Sequence, residues 1–219
     1  MITSTPCVDP PTARRRVWLA FGLLAVFTLL HSAFADTPAT NPAGDTPQAF
    51  VAYASNDVLA AMTVDQMLPL VSFNPDSDSE KASAKIVAAC NIAEARVELS
   101  ARQKWGAAGE KAVAQALSDN TPADFQTAIW DINGDKAVAT FRSDSLSPVY
   151  LVKQDGHWKL DAEAYRGALS RDKFNKEMEN ATDVFYRLTQ DIAKNDAYSN
   201  VDEFTGHVKE EMDKLNTAN

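Results

Sequence analysis

Cysteine and histidine are scarce in this chain. Its 219 residues hold 2 Cys and 3 His. A metal site needs clustered His, Cys, Asp or Glu ligands. Cys90, His157 and His207 have no short ligand spacing among them, so neither a metal nor a cofactor is expected. Two further chemistries lack their motifs. There is no Gly-x-Ser-x-Gly nucleophile elbow and no Gly-x-x-x-x-Gly-Lys phosphate loop. Eight Gly and ten Pro exclude a collagenous or low-complexity chain. Basic residues are outnumbered, 21 Lys and Arg against 30 Asp and Glu, for a net charge of -9. That balance argues against a nucleic-acid partner, which needs a basic stripe.

What is present begins with an address. Arg14, Arg15 and Arg16 precede an uncharged apolar run from Val17 to Leu30, followed by Ala33-Phe34-Ala35. A basic block, a short apolar core and a small-x-small site are the three parts of a secretory signal peptide. Such a run spans roughly 21 Å as a helix, short of a bilayer core of about 30 Å. Cleavage is expected between Ala35 and Asp36, releasing an exported (periplasmic or extracellular) chain with no membrane anchor. Removing three Arg and one Asp leaves 18 basic and 29 acidic residues, a net charge of -11. Only Cys90 of the two Cys remains, so no intramolecular disulfide can form.

Residues 36–45 read as a flexible leader, and 46–219 as a single α+β domain. Thr46-Pro47 signals a helix start. Asn56-Asp57 reads as a break, and Pro69 as a kink or restart. A long helix begins near Asp78, with Ile86, Cys90, Ala93, Val97, Ala101 and Trp105 on one face. Glu94, Arg96, Glu98, Arg102 and Lys104 fall largely off that face. Gly106 and Gly109 interrupt the helix before a short one, Glu110 to Leu117. The period then changes to two. Strands are expected over 125–132, 136–142, 149–153 and 157–161, with tight turns at Asn133-Gly134 and Asp155-Gly156. Ser170 caps a helix with a stripe of Phe174, Met178, Ala181, Phe185, Leu188 and Ile192. Asn195-Asp196 interrupts. Ser199 opens a last helix carrying Phe204, Val208 and Met212. The architecture is therefore N-terminal helices, a curved four-stranded antiparallel meander and a C-terminal helical extension.

Two segments resemble the nuclear transport factor 2-like superfamily, a cone-shaped α+β fold. One is Asn133-Gly134-Asp135-Lys136-Ala137-Val138-Ala139-Thr140-Phe141, similar to its Gly-Asp-x-Ala-x-Val strand. The other runs from Val149 through Asp155-Gly156-His157-Trp158-Lys159 to Leu160. The resemblance covers 46–161 as a core, with 162–219 as a helical extension beyond the usual end. It implies a cone lined by Tyr53, Trp130 and Phe141, which become candidate ligand-binding residues. It also implies an alternative function, a small pocket enzyme of isomerase or dehydratase type. A Tyr on the first helix and two carboxyls would carry that chemistry, and Asp131 and Asp161 at strand ends look solvated instead.

No catalytic residue stands out. His157 and His207 read as surface residues, and Cys90 as a small buried hydrophobe. The interior-facing strand residues look apolar: Trp130, Val138, Phe141 and Leu151. The residues thus favour a noncatalytic exported domain that binds a small molecule or a protein. The tail stripes must be covered, and the sheet needs a cover on one face. The tail is expected to complete the core by packing on the helix-and-sheet body.

Overall fold

The computed structural model describes residues 45–117, 122–142, 146–194 and 197–217. The expected signal peptide, the leader up to residue 44 and the Asn195-Asp196 break lie outside the described residues. Helix α1 (Pro47–Tyr53) starts as the sequence predicts. Pro47 occupies its first turn, and the Thr46 hydroxyl accepts from Ala49 N at 3.1 Å. Next come α2 (Asn56–Ala61), α3 (Val64–Met67) and a 3-10 turn at Leu68–Leu70 that contains Pro69. The break expected at Asn56-Asp57 falls at Ala54-Ser55, just before Asn56. Asn56 opens α2, and its Nδ2 donates to Glu98, 42 residues away.

Helix α4 (Asp78–Leu117) is the centre of the molecule. Gly106 kinks it with φ +74 and ψ -171, a conformation essentially confined to glycine. Gly109 does not break it. It is buried and helical, and a Cβ there would lie 2.5 Å from Trp105 Cβ. The kink brings those two residues together, so position 109 needs a hydrogen.

Two long helices beyond the sheet complete the helical layer. Helix α7 (Arg171–Ala193) buries every residue of its predicted stripe, and Ser170 caps it by accepting from Lys173 N. Fully burying side chains such as Phe174, Phe185 and Leu188 contributes roughly 1.5–3 kcal/mol each. Helix α8 (Val201–Thr217) buries Phe204, Val208 and Met212. Its cap is Asn200, which accepts from Glu203 N at 3.0 Å, while the backbone N–H and hydroxyl of Ser199 donate to the Glu203 carboxylate. Phe204 wedges between Trp105 and Tyr198, with ring centres 5.3 and 5.2 Å away.

Helix α4 is covered on several sides, by α2, α3, α7 and α8. One stripe therefore does not describe it. Val87, Asn91, Glu94 and Glu98 are buried as well. Two of the basic residues off the stripe cap neighbours, while Arg102 pairs with Asp57 and Glu110. Arg96 Nε donates to Ala60 O at the end of α2, and Lys104 Nζ donates to Ile192 O at the end of α7. Both place positive charge at a helix C-terminus.

The sheet is an antiparallel meander of β1 (Ile129–Asn133), β2 (Lys136–Thr140), β3 (Val149–Gln154) and β4 (His157–Leu160), in that order. The first hairpin closes on the Asn133–Lys136 pair, so its loop is Gly134-Asp135, one residue later than expected. Gly134 has φ +58, which suits a glycine in the first loop position. Asp155 and Gly156 both have positive φ, 55 and 82, as an Asp-Gly turn requires. Residues 125–127 are not strand. They belong to α5 (Pro122–Thr127), where the Thr127 hydroxyl donates to Asp124 O.

One face of the sheet is buried through Ala137, Ala139, Val149, Leu151, Trp158 and Leu160. Since Ala137 and Ala139 face inward, the pleat turns Val138 to the opposite face. The expected inward position of Val138 is thereby corrected. The covering elements also differ from expectation. Helix α1 and the Leu68–Leu70 turn lie against β4, whereas α7 and α8 lie along α4. Trp158 Nε1 donates to Asp45 O, and Val71 forms a parallel bridge with Leu160. Asp161 is not solvated. It is buried and caps α6 (Ala162–Arg166), a helix absent from the sequence reading, by accepting from Ala164 N at 3.0 Å.

Candidate functional site

The two edges of the sheet are unlike. Val71 closes the outer side of β4. Strand β1 pairs with β2 alone, and among the described residues no strand pairs with its outer side. Its sequence, Ile-Trp-Asp-Ile-Asn, has the β-branched and aromatic content of a strand that should be half-buried. Instead four of its five residues are exposed and Trp130 is half-buried. Ile129 is 64% exposed and Ile132 49%. An open apolar edge is a template for another strand.

The surroundings extend this surface. The Cα partner of Trp130 is the buried Ala139, so Trp130 shares the covered face. Phe141, two residues past Ala139, continues that face and meets Phe125 of α5 edge-on, with ring centres 5.2 Å apart. Asp131 is the one charged residue of β1. It faces away from Trp130, and its cross-strand partner is Val138. No ion pair among the described residues engages it.

Of the three sequence candidates, Trp130 and Phe141 thus lie at the open end of the sheet. Tyr53 lies on α1, half-buried against the core, where burial pushes its phenol up. His157 is exposed in β4. His207 is not simply solvated. It lies 3.4 Å from Asp191 and stacks on Tyr198.

Two other polar groupings were not legible in the sequence. The first is in the helical core. Glu94 and Glu98, one turn apart on α4, are 3% and 1% exposed. Asn56 Nδ2 donates to Glu98 Oε2 at 2.6 Å, which fastens α2 to α4. Burial pushes the Cys90 thiol far up. Glu94 adds to the rise, and a hydrogen bond with Thr182 opposes it. A thiol in that state is inert. The only sequence signal was a pair of Glu four apart among small apolar residues.

The second grouping joins the starts of α4, α6 and α7. Arg171 lies 3.3 Å from Glu80 and 3.2 Å from Glu163, and donates to Ser79 Oγ at 2.9 Å. Arg166 pairs with Glu163. The hydrogen bond from Arg166, then that from Arg171, hold the Glu163 carboxyl below its usual range. The cavity among these groups measures about 10 Å³, room for one water at most. With two guanidiniums and two carboxylates it is balanced in charge. It is a clamp for three helix starts and is too small for an organic ligand.

Among the described residues no group of three or more His, Cys, Asp or Glu can hold a metal ion, and no helix is long and apolar enough to cross a membrane. No family model, no curated protein and no solved structure matches the chain.

Proposed function

We propose that this protein is an exported, noncatalytic binding domain that takes an extended segment of a partner protein onto the open edge of β1. The observation that carries the reading is the unpaired outer side of β1 with Ile129 and Ile132 exposed. Strand addition satisfies the free backbone groups of an edge and buries alternate side chains. Trp130 and Phe141 would then contact the partner. The basic block, short apolar run and Ala-x-Ala site at 14–35 support export. The nuclear transport factor 2-like assignment is kept as a proposal for the sheet, supported by its two hairpins.

The test is peptide selection against the chain that begins at Asp36, in parallel with its Ile132→Pro variant. Wild type should enrich proline-free peptides with alternating apolar residues, and the variant should not. No enrichment, or equal enrichment by both proteins, sinks the reading. Mass spectrometry of the native protein should find Asp36 at the N-terminus. A retained Met1 on soluble protein would refute export.

A further inference from the structure

The partner segment can be described more closely, on the premise that strand addition at β1 is correct. In an antiparallel pair, residues alternate between bonding across the ladder and turning their N–H and C=O outward. The hairpin closes on Asn133–Lys136; Asp135 O accepts from Lys153 N on the β3 side, so by alternation Lys136 bonds toward Asn133. Counting back, Asp131 and Ile129 bond to β2, while Trp130 and Ile132 direct their N–H and C=O to the open side. An incoming strand therefore docks on the backbone of Trp130 and Ile132.

Side chains set the rest. A residue of the new strand directly opposite Asp131 would place its Cβ about 4.5–5.5 Å away. On its other side Asp131 meets Val138, and Lys136, diagonal to it on the same face, forms no ion pair with it among the described residues. The vacant position beside Asp131 thus favours a cation. A Lys or Arg there can also lay its aliphatic stem over Ile129, which shares that face and is exposed. The net charge of -11 that remains after cleavage at Asp36 steers a basic segment toward the protein. A second copy of this chain fits less well. The twofold register that pairs all five residues of β1 sets Asp131 against its own copy, and like charges directly opposite are destabilising.

We infer that the occupant of the β1 edge is an extended partner segment with a basic residue opposite Asp131, flanked by apolar residues facing Trp130 and Ile132. Three end-capped octapeptides test this, with Val alternating with Lys, Ser or Glu, titrated into the chain that begins at Asp36. Hydrogen exchange at the Trp130 and Ile132 amides reports the docking position. The Lys peptide should bind about two- to fivefold tighter than the Ser peptide, the worth of one cross-strand charge pair, and slow exchange at both amides. The Glu peptide should bind weakest. Asp131→Lys, a change at an exposed site, should reverse the order, and added salt should compress it. Equal binding of the Lys and Ser peptides overturns the basic requirement and leaves strand addition standing. Failure of all three to bind overturns strand addition itself. Concentration-dependent dimers with slowed exchange at these amides would make a second copy the occupant and overturn the partner assignment.

Discussion

Replacing Gly106 with Ala should destabilise the protein without filling any space. A Cβ at this position meets nothing within 4 Å, so no clash contributes. The cost comes from the backbone, since φ +74 with ψ -171 is a region where a side chain is strained by about 1–3 kcal/mol. The chain has one escape, which is to straighten α4 through residue 106. That would pull residues 107–117 from their packing, where Val113 is 0% and Leu117 3% exposed. Losing both burials forfeits about 3–6 kcal/mol, and the Arg102–Glu110 ion pair would part as well. Strain is the cheaper outcome, so the kink should persist. For a domain of this size, about 2–4 °C of Tm is lost per kcal/mol, so Tm should fall by about 2–12 °C. Urea unfolding of Gly106→Ala beside Gly206→Ala separates strain from propensity. Gly206 is exposed within α8 and also has open space around it. There the same substitution should stabilise by about 0.5–1 kcal/mol. A cost at Gly106 below about 0.5 kcal/mol, the level of an ordinary surface change, would refute the reasoning.

Three further outcomes are expected. Cys90 should resist maleimide in the native protein and react in denaturant, and reducing agent should leave Tm unchanged; labelling under native conditions would contradict its burial. Glu163 has a lowered folded-state pKa, caused first by its hydrogen bond with Arg166, so its contribution is present above the unfolded carboxyl pKa and disappears as pH falls through the folded value. Glu163→Gln should therefore lower Tm at pH 7 and converge on wild type under acid, and a constant difference at all pH values would refute the linkage. Deleting residues 170–219 removes α7 and α8 from their sides of α4, so the remainder should aggregate or lose cooperative melting; a monomer with a sharp calorimetric transition would show that α7 and α8 are dispensable.

Much of the fold was legible because it is decided within a few residues. The period of 3.6 placed Phe174, Met178, Phe185 and Leu188 on one face, and all are buried. Thr46 and Ser170 were recognisable as caps from their own neighbours. Glycine marked both hairpins and the bend of α4. Local chemistry has limits even there. Asn133-Gly134 predicted a turn, yet the loop is Gly134-Asp135, because pairing along the whole strand sets the register.

The candidate site was only half legible. The pattern sets Trp130 and Phe141 inside; both pack against the core but are only partly buried, Trp130 on the edge strand. The open edge could not be foreseen, since an edge is defined by the strand that is not there. The same holds for Glu94 and Glu98. Helical spacing set them off one apolar stripe, and only the arrival of α2 from another part of the chain made their face interior. Periodicity, caps and turn residues act between neighbours, so the order of amino acids by itself determines them. Which helix face is buried, and which strand stays uncovered, depends on surfaces that meet across long separations. Those meetings exist only in the tertiary structure.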